Sequence, residues 1–401
     1  MKISSCSAKT ISDSRGKPTI EIGISNGTFS AYASVPSGKS AGSREVEEKR
    51  DSDGGVKGVI HGIIEHIVPA IVDKEFSSPR EIDEILLKLD GTPDKSNLGG
   101  NALLGVSIAA TKLFALEQKI PVWKFIADTN SFIPQFPRLY MNMMNGGVHG
   151  NFNLPFQEYI VIAEGNPKEA YDRATTIFWK LGDLVKKVAA EVSLGDEGGY
   201  SPTFTSLEKP FEFLKNLVSK GEGLSLGIDA AASEFCDQGI YTILGQKYST
   251  DDLLNMYIGL IERFGVVSIE DPFAEDDISG FIALTESCGS KTLIVGDDLT
   301  VTNPKILQEM VDKKAANAVI VKPNQIGTLS EVYDAVRIAH NAGWKIIASH
   351  RSGETNDSFI ADLAMGIGAF GFKAGAPTQK ERVTKYDRLV QIEDEFSISH
   401  F

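Results

Sequence analysis

A chain of 401 residues, 42% hydrophobic and 23% charged, is ordinary for a globular protein and gives no sign of disorder. It is long enough for more than one core, although a closed α/β barrel alone can take about 250 residues. Its 40 basic and 54 acidic residues leave a formal charge of −14, which excludes the surplus of Lys and Arg on which sequence-independent nucleic-acid binding rests; an anionic substrate would have to be met by local cations.

The first 126 residues read as a small α+β unit. Thr19–Ile24 alternates with period two, as a half-buried strand does, and Ala31–Val35 is a second strand ending at Pro36. The N-terminal stretch has no apolar run of the signal-peptide kind. GVIHGIIEHIVPAIV is interrupted by His61, Glu65, His66 and Pro69, too short and polar to span a bilayer. Ser78-Pro79-Arg80-Glu81 has the form of a helix start: a capping Ser, Pro at the first helical position and Glu three residues after the cap. Residues 101–119 carry apolar side chains at helical spacing. The polar stretch 127–138, with Pro134 and Pro137, reads as a linker.

From 139 to 401 the rhythm changes. Short apolar runs (PFQEYIVI, LSLGIDA, GVVSIED, TLIVGDD, NAVIVKP, KIIASH, AFGFKAG) alternate with helical stretches such as Thr250–Phe264, with Gly265 as its C-cap. Strand and helix in alternation predict a parallel sheet with helices outside, closed as a barrel. The expected fold class is therefore α/β: a (β/α)8 TIM-type barrel preceded by an α+β domain. Cys6, Cys236 and Cys288 are too few and too scattered for a disulfide framework or a zinc site, which fits a reducing cytoplasm.

Six of the late runs end in polar residues: Asp229, Glu270, Asp297, Lys322, His350 and Lys373. Any one of these is adequately explained as a helix N-cap or a solvated strand end. In a barrel, however, the C-terminal ends of parallel strands share one face, where active sites form. The series predicts three carboxylates, two lysines and a histidine around one mouth. Oxygen donors without Cys favour Mg²⁺ over Zn²⁺; the bland alternative is a salt-bridge cluster with the two lysines. Paired, partly desolvated lysines are expected to have lowered pKa values. The glycines of GDEGGY allow Glu197 a close approach to a ligand, and Ser349-His350-Arg351-Ser352 suits a phosphate. Ser37-Gly38-Lys39-Ser40 is not a P-loop, since Ala33 stands where its first glycine would be.

Eleven strings, in order, resemble the enolase family: SRGKPTIEI at Ser14, SVPSGKSAG at Ser34, NALLGVSIA at Asn101, MNGGVHGNFNLPFQE at Met144, GDEGGYSP at Gly195, GIDAAASEF at Gly227, SIEDPF at Ser268, GDDLTVTNP at Gly296, VKPNQIGT at Val321, SHRSGET at Ser349 and KAGAP at Lys373. The resemblance implies a modified barrel capped by the N-terminal domain. It also implies interconversion of 2-phosphoglycerate and phosphoenolpyruvate with two Mg²⁺ ions. Asp229, Glu270 and Asp297 would bind the first ion, and Ser40 would join the second with the substrate phosphate. Lys322 looks like the general base, oriented by Asp298, and Glu197 like the general acid. Lys373 would pair with the substrate carboxylate, and Arg351 and Ser352 with the phosphate. His149, Gln157, Glu158 and His350 match supporting positions around the reacting carbon. A homo-oligomer, dimeric or octameric, is implied as well. Lys39, Val148 and Phe152 depart from the family's pattern; Lys39 is expected to be solvated or to add a phosphate contact. The sequence features leave two rivals: a sugar-acid dehydratase or lactonising enzyme of the same superfamily, and a retired, non-catalytic relative.

Overall fold

A computed structural model describes residues 1–39, 42–189, 192–218 and 223–398. The N-terminal domain is a three-stranded antiparallel sheet, Ser5–Ser12, Pro18–Ser25 and Ser30–Ser34, backed by the helix Gly100–Gln118. Ile20, Ile22 and Ile24 on one strand and Ala31 and Ala33 on its neighbour are buried, as the period-two pattern requires. The strand Ser5–Ser12 was not expected. Its sequence, SCSAKTIS, has no apolar alternation because it lies at the sheet's edge with mostly exposed side chains. The helix Pro79–Asp90 starts at Ser78 as expected, but the Ser78 side chain makes no capping bond. Glu81 instead reaches one residue further back and accepts the Ser77 backbone N–H at 2.9 Å. The helix Val122–Asn130 then runs into the stretch whose composition suggested a linker, and the first barrel strand begins at Arg138.

Eight strands close the barrel: Arg138–Asn145, Glu158–Ala163, Leu224–Asp229, Val266–Glu270, Leu293–Gly296, Ala318–Val321, Lys345–Ser349 and Gly371–Gly375, with the eighth pairing back onto the first. The sheet is not wholly parallel. The second strand runs antiparallel to both its neighbours, because residues 146–157 return the chain directly, without a crossover helix. Two helices, Pro167–Val188 and Lys209–Val218, separated by the short strands Ser193–Leu194 and Tyr200–Ser201, precede the third strand; a small three-stranded sheet within 236–248 follows it, and strict strand–helix alternation begins at Val266–Glu270. The reversal has a functional consequence. Glu158, the first residue of the reversed strand, pairs in register with Asp229, the last residue of the third strand, so both stand at the same rim.

Inside the barrel, Tyr140, Ile160, Ile162, Val295, Ile320 and Ile347 form a separate apolar cluster, while the alternate positions (Val161, Ile294, Val319, Val321, Ile346) join the larger core beneath the helices. Continuing the inward parity beyond this plug reaches Glu158, Asp297 and Lys322, and in-register pairing of Glu158 with Asp229, Asp229 with Glu270 and Ser349 with Lys373 places the other three on the same face. Strand geometry alone therefore aims these polar side chains into the mouth. Helix Thr250–Phe264 has a complete capping box at Ser249 and Asp252, and Gly265 ends it in the left-handed conformation as expected.

The N-terminal domain is fastened over this mouth. Asp83 accepts the Ser330 hydroxyl at 2.6 Å and its backbone N–H at 3.0 Å, Lys95 pairs with Glu331 at 2.9 Å, and Lys112 pairs with Asp357 at 2.8 Å. Ser37 bridges Gly353 backbone to backbone, bringing the following loop to the rim. Among the described residues, no helix is long and apolar enough to cross a membrane.

Candidate active site

Lys373 is the centre of the mouth. Its ammonium, 2% exposed, lies 2.9 Å from Asp229, 2.8 Å from Glu270 and 3.1 Å from Glu158. Lys322 pairs with Asp297, whose other oxygen accepts Gln325 Nε2 at 2.9 Å. Asp229 and Glu270 thus meet on Lys373 and Asp297 on Lys322 at the same mouth, and among the described residues the three carboxylates close enough to share one ion are Asp271, Asp297 and Asp298. Asp271, which the sequence reading passed over, holds part of this arrangement in place. Its two oxygens accept the backbone N–H groups of Asp297 at 2.9 Å and Asp298 at 2.8 Å. Asp298 makes no pair with Lys322; its acid group sits in a cluster with Asp271 and Asp297.

The expectation of lowered lysine pKa values is overturned. Burial does depress Lys322, and Arg351 and Lys373 add to that, but the adjoining Asp297 charge overrides them and raises it. For Lys373, burial is likewise outweighed by Asp229, Glu158 and Glu270. Each lysine sits closest to carboxylates and not to the other lysine, so the attractive charges decide the direction.

The acid side is built from Glu197 and its neighbours. Asn142 Nδ2 donates to Glu197 at 3.1 Å; His350 Nε2 and His149 Nδ1 stand 3.4 and 3.6 Å from its other oxygen. Asn142 shares the inward parity of the first strand, a signal that could have revealed it. Burial would raise the Glu197 carboxyl, but His350, His149 and Arg382 outweigh burial and hold it well below the usual carboxylate range. Glu158 goes the other way, pushed up by burial and by Glu197's charge, and its Oε2 is buried without a hydrogen-bond partner. Burial also drives His350 down to about 4. Gln157 donates to Asp229 at 3.4 Å, leaving its carbonyl oxygen unpartnered.

At the anion-facing rim, Arg351 pairs with Glu45 of the N-terminal loop at 2.8 Å and donates to Asn324 at 3.2 Å. The Ser352 hydroxyl accepts Arg15 at 3.4 Å. Lys39 is exposed, as expected, yet paired. Its ammonium binds Asp196 at 2.6 Å and the Val148 carbonyl at 2.9 Å, which joins the N-terminal loop to the segments bearing His149 and Glu197. Phe152 is 61% exposed, with a positive φ of 58°. Ser40 lies outside the described residues.

Gly375 lets these parts approach. Its φ is +84°, and a Cβ there would lie 2.9 Å from both Arg382 Cδ and His350 Cε1, and 3.1 Å from the Glu197 carbonyl oxygen. Gly375→Ala should cost about 1–3 kcal/mol, combining left-handed strain with overpacking. Urea denaturation checks this against Gly265→Ala, where φ is +72° but the space is open. Equal losses at the two positions would show that the close approach carries no energetic weight.

The donor set fits a hard divalent cation. Asp229, Glu270 and Asp297 supply oxygen ligands only, and they share the mouth with Asp271, Asp298, Glu158 and Glu197. Cations there are fewer: Lys322, Lys373 and Arg351. The excess negative charge pushes Glu270 and Asp271 above the normal carboxylate range, with burial the larger cause in each. A divalent ion offsets such crowding.

A closed α/β barrel with one reversed strand and an acid–lysine centre at its mouth, covered by a separate α+β domain, defines a lyase of the enolase superfamily. Residues 3–126 match the family model described as the enolase N-terminal domain, and residues 134–400 match the enolase C-terminal TIM barrel domain. The chain belongs to the enolase family.

Proposed function

We propose that this protein catalyses the reversible dehydration of 2-phosphoglycerate to phosphoenolpyruvate. The observation that carries the reading is one cavity lined by an ammonium base candidate, Lys322, and a carboxyl acid candidate, Glu197, together with Lys373, Arg351 and Ser352. That set matches a substrate with a carboxylate, an exchangeable C2–H, a C3 hydroxyl and a phosphate.

In this reading Lys373 pairs with the substrate carboxylate, and Arg351 and Ser352 take the phosphate, Glu45 yielding its share of the Arg351 guanidinium. Lys322 removes the C2 proton, the C2–C3 double bond forms, and the C3 oxygen leaves as water with a proton from Glu197. Hydroxide is a poor leaving group, so that proton is required. Carboxyl oxygens of Glu158 and Glu197 lie within 4.8 Å of one another, and in this reading the proton that Glu197 delivers is one the two carboxyls share. When Asp297 is engaged by a cation, Lys322 is left facing Arg351 and Lys373, whose charges favour its neutral form. As is general in this superfamily, a lysine base works with Mg²⁺. Held by Asp229, Glu270 and Asp297, the ion would supply electrostatic stabilisation of the charge that grows on the carboxylate. Ser40 is proposed for a second ion.

The test is direct. Purified protein with 2-phosphoglycerate and Mg²⁺ should generate enol absorbance, EDTA should stop it, and added Mg²⁺ should restore it. Turnover of a sugar acid without turnover of 2-phosphoglycerate would transfer the protein to a different superfamily reaction. The GDEGGYSP and SHRSGET strings argue against that outcome.

A further inference from the structure

Arg382 takes no part in the chemistry above, yet it is 0% exposed, in the first turn of the helix Lys380–Ile398. One of its terminal nitrogens donates to the Arg351 carbonyl at 2.6 Å and also lies against His350 Nδ1. The other donates to the Ser352 carbonyl at 2.7 Å and reaches the Asp196 carbonyl at 3.4 Å; Nε donates to Gln379 at 3.1 Å. One guanidinium thus ties together the backbone on both sides of the cavity: the segment carrying the phosphate-binding candidates and the segment carrying Glu197.

A guanidinium has only donors. An imidazole nitrogen in contact with it must therefore accept, which leaves the ring's single proton on the other nitrogen. His350 Nε2 is buried, meets no acceptor in hydrogen-bonding geometry and lies 3.4 Å from Glu197. We propose that Arg382 is a positioning residue that fixes His350 as its Nε2–H tautomer, so that the ring presents a hydrogen-bond donor beside Glu197, where the leaving C3 oxygen would sit. The location of the leaving oxygen rests on the reaction proposed above; the tautomer does not. A cationic donor that orients an imidazole is the mirror image of the carboxylate that usually does so, and it selects the opposite role. The nitrogen facing Arg382 is an acceptor, and the nitrogen facing the cavity is a donor instead of a base.

The test is histidine side-chain ¹⁵N NMR on the full-length protein, with His350 identified by its loss in His350→Gln. Wild-type His350 should show an unprotonated Nδ1 and a protonated Nε2. Arg382→Gln should give averaged tautomer shifts and lower kcat by about 10–100-fold with little change in KM, the usual cost of losing a partner that orients a catalytic ligand. Arg382→Lys, which keeps a donor, should recover the Nε2–H pattern in part. A wild-type Nδ1–H signal would overturn the proposal, and so would an unchanged tautomer in a folded Arg382→Gln protein. If Arg382→Gln fails to fold, the wild-type spectrum and Arg382→Lys still decide. A confirmed tautomer in a protein that leaves 2-phosphoglycerate untouched would count against the reaction and not against Arg382.

Discussion

Lys322→Ala should abolish exchange of the substrate C2 proton with solvent, whereas Glu197→Gln should block dehydration and leave some exchange. Lys322 stands on the inward parity of its strand and lines the cavity, and the sixth strand fixes its backbone. Alanine removes the only group proposed to accept the C2 proton. Loss of a positioned base typically costs 10²–10⁴-fold, so exchange should fall by about that factor or more and pass below what a deuterium-incorporation assay readily detects. Glutamine at position 197 keeps the shape and the Asn142 contact but cannot deliver a proton, so the carbanion should form and return. Deuterium incorporation from heavy water, followed by NMR of 2-phosphoglycerate with Mg²⁺ present, separates the steps. Equal exchange by the two variants would invalidate both assignments.

Lys373→Met should be the most destabilising single change at the mouth. The ammonium meets Asp229, Glu270 and Glu158 within 3.1 Å in surroundings closed to solvent. Replacing it with an apolar chain of similar length leaves several buried carboxylates uncompensated, and breaking such a pair typically costs about 3–5 kcal/mol. By contrast, the Lys168–Asp172 pair, with both side chains largely exposed, is of the surface kind whose loss is scarcely measurable. Urea unfolding in EDTA at neutral pH should show the large loss, and Mg²⁺ should narrow the gap, since a cation that binds the folded state favours it. A stability loss no greater than that of Lys168→Met would mean that the carboxylates do not depend on Lys373.

These two experiments address different links in the chain from sequence to function. The first tests chemistry assigned through resemblance. The second tests an electrostatic arrangement that the fold creates whatever the reaction.

Much of the architecture was legible because it depends on local periodicity. Seven of the eight barrel strands correspond to apolar runs, and in the six that run parallel a polar residue at the end of the run reaches the mouth. Asp229, Glu270, Asp297, Lys322 and Lys373 were identifiable from that alone. The first strand, RLYMNMMN, escaped notice because it is buried on both faces and shows no alternation.

The sequence by itself determined which side chains would gather at the rim, since strand parity and the shared ends of barrel strands leave them little choice. Only the tertiary structure decided what each would meet there. The reversed second strand brings Glu158 beside Asp229, carboxylates capture both lysines and raise what was expected to fall, and Lys39 and Glu45 reach the mouth from a different domain. Arg382, from the last helix, carries no local pattern that marks it. Its partners are mostly backbone carbonyls, which every sequence supplies and which only the folded chain brings within reach of one guanidinium.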